Sequence, residues 1–212
     1  MKGADSVRRR VKSSEKVIRE QLCAVAEDAA GATSVLIEEF WVPASHERVD
    51  LSAVGEQLWA FEIKSPRDSL KRLPRQVAAF SRLFDRCTAV LATKHLERGT
   101  ELLPAWWGIM DAGDNVGDSL RWLRQPDVNP EVDLGLLVKL LWRDEAADAL
   151  ADLGIPAPTH LGRQAMARLL LKEAEPSLLR DCVRTTMRTR DPRLARIPTR
   201  RSTRASSVAA AQ

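Results

Sequence analysis

Residues 48–64 read RVDLSAV-GEQ-LWAFEIK and decide the fold of the chain. Two runs rich in apolar, β-branched and aromatic residues alternate with period two, and they flank a three-residue turn that contains Gly55. Such a pattern is typical of a β-hairpin. The sequence therefore predicts paired strands over Arg48–Val54 and Leu58–Lys64.

The register of this hairpin places two acidic residues opposite each other. With Glu56 at the centre of the turn, Asp50 lies directly across from Glu62, and their Cβ atoms are about 5 Å apart. Because residues i and i+2 of a strand share a face, Ser52 and Lys64 lie on the same face as these carboxylates. The residues expected on the opposite face are Val49, Leu51, Ala53, Trp59, Phe61 and Ile63.

Two carboxylates at this distance require a compensating charge. They repel each other by about 0.8 kcal/mol in water and by about 3 kcal/mol at an effective dielectric constant of 20. Mg²⁺ supplies that charge, since it binds one or two protein carboxylates together with water and phosphate oxygens, and Mn²⁺ suits the same ligands. Lys64 adds a positive charge for the scissile phosphate or the attacking water. The pattern indicates phosphodiester hydrolysis; the alternative is a surface hairpin in which Lys64 simply pairs with Glu62.

The strings RVD (48–50) and FEIKS (61–65) resemble the core of the PD-(D/E)XK nuclease superfamily. Asp50 fills the D of that motif, Glu62 the (D/E) and Lys64 the K. The resemblance implies an α/β, restriction-endonuclease-like fold, with a mixed β-sheet flanked by helices. It also implies a Mg²⁺-dependent enzyme that acts on DNA, although some members of the superfamily only bind.

Three further strings narrow the resemblance: RDSLKRLPRQV (67–77), SRLFDR (81–86) and PAWWGI (104–109). They are similar to a little-described bacterial and phage family of PD-(D/E)XK-type proteins. The similarity covers roughly residues 15–190. It implies a role in a phage, in DNA repair or in defence, and it does not fix a substrate.

The resemblance suggests further site residues. Superfamily members commonly carry an acidic residue on the first helix, for which Glu20 is the candidate, unless it is a solvated helix charge. Glu39 can reach the metal from the first strand. Gln76 lies beside the apolar stripe of the next helix, where a family Gln contacts the attacking water or a phosphate; a plain surface amide is the alternative.

Basic residues follow the catalytic strand closely. We expect them to bind the phosphates of a nucleic acid, namely DNA, rather than to form only a solvated helix face. The predicted nucleic-acid-binding residues are Arg48, Arg67, Lys71, Arg72 and Arg75.

Composition limits the class of protein. The 212 residues are 44% hydrophobic, which is enough for a core, and the formal net charge of +4 permits nucleic-acid binding. No apolar run approaches the roughly 18 residues of a membrane span, and no apolar signal segment follows the basic start. We therefore expect a cytoplasmic protein without a membrane partner. The three cysteines lack the spacing of a disulfide framework or a zinc site.

Local patterns divide the chain into four parts. These are a basic N-terminal arm (1–13), a nuclease-like core (14–125), a helical appendage (126–190) and a basic, disordered tail (191–212). The appendage either covers the sheet or forms a DNA-binding helical unit. The elements predicted in the core are a helix from Ser14 to Gly31, strands over Ser34–Val42, Thr88–Thr93, Trp106–Met110 and Ser119–Leu123, and a helix that begins near Pro74.

Three functions are compatible with these patterns. The first is a metal-dependent nuclease, and the second is a catalytically inactive nucleic-acid-binding module on the same scaffold. The third is an interaction subunit of a phage or defence complex. Because all three motif residues are present, the sequence favours the nuclease.

The tail predicts a measurable effect on binding. Its five arginines release counterions from phosphates, so deletion of residues 191–212 is expected to weaken binding to all DNA sequences alike and to flatten its salt dependence. Fluorescence anisotropy over a range of salt concentrations measures both quantities. An unchanged affinity and salt slope would reject this role.

Overall fold

The computed structural model describes residues 3–31, 33–115 and 117–190, with side chains from residue 15 onward. The tail and its predicted disorder therefore lie outside the described residues. The helices are α1 (Gly3–Ala30), α2 (Leu73–Phe80), α3 (Leu96–Glu101), α4 (Leu134–Leu137), α5 (Arg143–Asp152), α6 (Arg163–Glu173) and α7 (Pro176–Thr189). The strands are β1 (Val35–Trp41), β2 (Arg48–Val54), β3 (Leu58–Lys64), β4 (Arg86–Leu91), β5 (Gly108–Asp111) and β6 (Arg121–Arg124).

The six strands form one mixed sheet whose order follows the sequence, from β1 to β6. Strands β1, β2 and β3 are antiparallel, β3, β4 and β5 are parallel, and β6 returns antiparallel to β5. Parallel neighbours need a crossover, and α2 supplies it between β3 and β4. The prediction of an α/β fold with a mixed sheet flanked by helices is confirmed.

The predicted hairpin is confirmed in both its bounds and its register. Leu51 pairs with Phe61, and Val54 pairs with Leu58 beside the turn. The paired positions end at Leu51, and just beyond them the Asp50 carboxylate accepts the Ile63 N–H at 2.7 Å, so Asp50 meets the end of β3 that carries Glu62. The other predicted strands differ from the observed ones by no more than about two residues at each end, the usual uncertainty of strand limits.

Each face of the sheet carries its own hydrophobic core. On one face, α1 inserts Ile18 and Leu22 against a cluster that includes Trp59 and Phe61. On the other face, α2 and the C-terminal helices pack on a cluster that includes Leu58, Ala60 and Leu91. Successive side chains of the central strands point to alternate faces and so join both clusters. This explains why β3 is buried along its whole length.

Helix α1 is longer than the sequence predicted. It begins at Gly3, so the predicted start at Ser14, with that residue as its cap, is wrong. Residues 3–13 contain several arginines, which are good helix formers, and no proline. Nothing in this stretch therefore prevents the helix from extending back from Ser14 to Gly3.

The predicted face of Val49 is also wrong. It packs with Phe40 and Val42 in the α2-side cluster, whereas Leu51 and Ala53 face α1. Glu39, on the neighbouring strand, has φ of 55°, a left-handed conformation that interrupts alternation at that level of the sheet.

The C-terminal helices share the sheet's core, since Leu141, Leu170 and Val183 lie in the same cluster as Leu58. The division of the chain into four parts stays a prediction. No helix in the described ranges is long and apolar enough to cross a membrane.

A buried ion pair joins α7 to the start of β3. One oxygen of Asp85 accepts the Leu58 N–H at 2.7 Å, and the other accepts from Arg184 at 2.9 Å. The side chains of Asp85 and Arg184 are 8% and 14% exposed, so Asp85 depends on Arg184 to compensate its charge, while Arg184 also pairs with Asp181 at 3.0 Å.

The core packing of α2 gives a test of this architecture. Phe80 is fully buried, edge-on to Phe84 and stacked on Trp107. Phe80→Ala is expected to lower the free energy of unfolding by about 3–5 kcal/mol, because it removes the ring and leaves a cavity. Urea unfolding measures the loss. The matched control is Leu178→Ala on α7, where the side chain is 55% exposed, and it should change stability by less than about 0.5 kcal/mol.

Candidate active site

The carboxylate of Glu62 is the centre of a buried polar cluster at the end of β3. The residue is 2% exposed. Its Oε1 accepts hydrogen bonds from Lys64 Nζ and, at 2.5 Å, from Gln76 Nε2. Its Oε2 is buried and has no hydrogen-bond partner among the described residues. One oxygen of this carboxylate is therefore free to bind a ligand.

Asp50 supplies the second carboxylate of the cluster. Its Oδ2 accepts the backbone N–H of Ile63 at 2.7 Å, which fixes the side chain against the end of β3. Its position next to the last paired residues of the hairpin brings it near Glu62, on which its charge acts. The structure thus brings Asp50, Glu62, Lys64 and Gln76 together.

Helix α2 positions Gln76 at this cluster. Pro74 stands in the first turn, where its missing N–H costs no hydrogen bond, and Leu73, Val77 and Phe80 bury the apolar stripe. Gln76 lies beside that stripe and is only 3% exposed, so the alternative of a surface amide is excluded.

Burial changes the protonation of both carboxyl groups. Burial, followed by the charge of Asp50, raises the pKa of Glu62 to about 8, against the opposing effects of Lys64 and Gln76. Burial likewise raises the pKa of Asp50, although the Ile63 N–H and the charges of Lys64 and Arg19 act in the other direction. Both groups would gain from a cation that neutralises their shared charge.

These residues fit a hard divalent cation. The unpartnered Oε2 of Glu62 is an oxygen ligand, and Asp50 is close enough for its charge to act on Glu62. Within the described ranges, no group of three or more His, Cys, Asp or Glu side chains is arranged to hold a metal ion. Two carboxylates are nevertheless enough for Mg²⁺, which completes its shell with water and substrate oxygens.

Glu39, the other predicted metal ligand, is engaged elsewhere. It accepts from Arg19 at 3.2 Å and forms an ion pair with Arg48. Although Glu38 and Glu39 are adjacent in β1, the left-handed backbone of Glu39 lets both carboxylates reach Arg19. Such a conformation costs on the order of 1–3 kcal/mol, so these ion pairs hold a strained residue in place.

Helix α1 brings Arg19 to the site rather than Glu20. Glu20 is exposed and pairs with Lys16 at 3.7 Å, as expected of a solvated helix charge. Sequence reasoning missed Arg19, yet a signal was present. It precedes the buried residues Leu22 and Ala26 by three and seven positions, which places its side chain on the buried side of the helix.

The predicted phosphate-binding residues fall into two groups. Arg72 and Arg75 pair with Glu47 at 3.0 Å and 3.5 Å, and Arg48 pairs with Glu39. Arg67 and Lys71 are exposed and form no ion pair with any residue that the structure describes.

Glu47 was not predicted. It is 7% exposed in the loop between β1 and β2, and it pairs with Arg72, on whose guanidinium the charges of Asp50 and Glu62 both act.

A comparison of families identifies the group to which the chain is related. The family described as "Bacteriophage P4 protein cII" matches residues 9–209, a span that contains every residue of the site. The chain belongs to this family.

Individual proteins are also similar to this chain. Protein cII of Enterobacteria phage P4 is 28% identical over 159 residues, which are 74% of this chain and 60% of the phage protein. The chain thus spans less than two thirds of the length of that relative. Among solved structures, a protein of unknown function from Silicibacter pomeroyi is 27% identical, with a TM-score of 0.35 over 48% of this chain and 65% of its own.

The raised pKa of Glu62 predicts how stability changes with pH in this member of the cII family. Between its ordinary pKa of 4.5 and about 8, the folded state keeps a proton on Glu62 that the unfolded state has lost. Stability therefore falls as pH rises through this window in the presence of a chelator. Glu62→Gln, which carries no such proton, is expected to show a shallower fall. Urea unfolding from pH 5 to pH 9 measures both slopes, and equal slopes would contradict the assignment.

Proposed function

We propose that this protein is a metal-dependent nuclease of the PD-(D/E)XK type, which hydrolyses phosphodiester bonds in DNA on a restriction-endonuclease-like scaffold. The observation that carries the proposal is the unpartnered Oε2 of buried Glu62, which lies beside Asp50 and Lys64. A carboxylate oxygen without a hydrogen-bond donor is costly in a protein interior unless a ligand completes it.

Each residue of the cluster has a distinct role. Asp50 and Glu62 hold Mg²⁺, or Mn²⁺ in its place, and the cation when bound supplies Lewis-acid and water-activating chemistry. Lys64 holds a positive charge where the scissile phosphate gains negative charge. Gln76 fixes the orientation of Glu62 through one N–H of its amide and keeps the other for water or phosphate.

The basic residues beside the site suit a polyanionic substrate. Arg67 and Lys71 are exposed and available to phosphates, while Glu47 holds Arg72 and Arg75 at the mouth of the site. Such basic side chains contact the phosphate backbone of DNA rather than its bases. They therefore support DNA binding without indicating a preferred base sequence.

The family match supports a phage context for this activity, in the cytoplasm where phage DNA is processed. A second candidate is a nucleic-acid-binding module without catalysis. The ion pair between Lys64 and Glu62 favours it, since the same contact would stabilise an inactive hairpin.

Cleavage assays distinguish the two candidates. Native protein with Mg²⁺ or Mn²⁺ is expected to cut plasmid, linear or single-stranded DNA. Lys64→Ala should reduce the rate by at least about 100-fold, because it removes a charge that acts mainly in the transition state.

The matched control for this assay is Lys172→Ala. That lysine is exposed on α6, pairs with Glu173 and should leave the rate unchanged. Cleavage that survives Lys64→Ala would refute the proposed mechanism. If native protein binds DNA but never cleaves it, the binding module is the correct function.

A further inference from the structure

Three carboxylates converge on the guanidinium group of Arg19 beside the proposed active site. Nη1 donates to Glu38 Oε2 and to Glu39 Oε1, at 3.2 Å each, and Nη2 donates to Glu15 Oε1 at 3.0 Å. The Arg19 side chain is 16% exposed, whereas the carboxylate side chains are between 38% and 59% exposed. The cation is thus enclosed by acidic groups that can themselves rotate into solvent.

This cluster continues the acidic row of the active site. In the β1–β2 ladder, Glu38 pairs with Leu51 and Phe40 with Val49, so Glu39 stands level with Asp50. In the next ladder the pairs end at Leu51 and Phe61, and Asp50 accepts the Ile63 N–H, so Asp50 stands between Glu39 and the end of β3 that carries Glu62. Neighbouring strands lie about 4.8 Å apart. Arg19 contacts Glu39 at one end of this acidic row, and Lys64 contacts Glu62 at the other.

We propose that Arg19 is a built-in cation that takes the place of a second metal ion. The chain then binds one divalent cation, at Asp50 and Glu62, and Glu39 is not a ligand. The part concerning Asp50 and Glu62 rests on the proposed function, whereas the part concerning Arg19 does not.

The charges and spacing of the row support this role. Without Arg19, Glu15 and Glu38 would lose the cation that pairs with them, whereas Glu39 would keep Arg48 and Asp50 would keep the charge of Lys64. Carboxylate oxygens are the preferred ligands of Mg²⁺ and Mn²⁺, and paired metal ions in such enzymes lie about 4 Å apart, close to the spacing of the strands. Because the guanidinium group is a planar, always charged fork of five N–H donors, it can satisfy several carboxylates at once, as a bound cation would.

The number of Mn²⁺ ions bound per chain tests the proposal. Equilibrium dialysis of full-length protein is expected to give one ion for the native chain and two for Arg19→Gln. The matched control is Lys16→Gln, which removes one positive charge from the same helix. Lys16 is 77% exposed and pairs with the exposed Glu20 at 3.7 Å, so this control should still bind one ion.

Every result decides the question. Two ions in the native protein, or no gain in Arg19→Gln, would overturn the role of Arg19. If the native protein binds none, the metal site at Asp50 and Glu62 fails, and the proposed nuclease fails with it. In that event Arg19 keeps its role if Arg19→Gln alone gains an ion, and loses it if that variant also binds none.

Thermal melting gives a second measurement, which also applies if Arg19→Gln is less stable than native protein. An additional ion that binds only the folded state adds its own stabilisation, so Mn²⁺ should raise the Tm of Arg19→Gln by more than that of native protein. Equal shifts in the two proteins would overturn the proposal.

Discussion

Burial of the Glu62 carboxylate between α2 and the sheet obliges its neighbours to supply hydrogen-bond donors. Lys64 and Gln76 both donate to one oxygen, and the other oxygen has no donor. The packing of Leu73 and Phe80 fixes α2, which presents Gln76 at the cluster. The hydrophobic core on this face therefore does more than stabilise the fold, since it determines which oxygen of the site stays available.

The same burial makes a proton and a cation competitors for one group. A carboxyl with a pKa of about 8 holds a proton at neutral pH, so a metal ion that binds there must displace it. Affinity for the cation would consequently rise with pH. The charge of Asp50 also favours the proton on Glu62, because it is the second cause of the raised pKa of that group.

The sequence was sufficient for features that depend on short-range patterns. Alternation around one turn gave the hairpin, its register and the meeting of Asp50 with Glu62, and the apolar stripe of α2 directed Gln76 inward. The left-handed backbone of Glu39 and its contact with Arg19 could not be predicted, because they depend on how α1 packs against β1. The long α1 was missed because a basic composition suggested a solvated arm, although arginines also favour helix.

The ion pair between Asp85 and Arg184 has a consequence for the order of folding. The two residues are separated by 99 positions, yet Asp85 also caps the first residue of β3. Until α7 docks, the sheet encloses an uncompensated carboxylate, so the hairpin that carries the site cannot reach full stability before nearly the whole described chain has been synthesised. Maturation of the site is thereby coupled to the last helix of the fold.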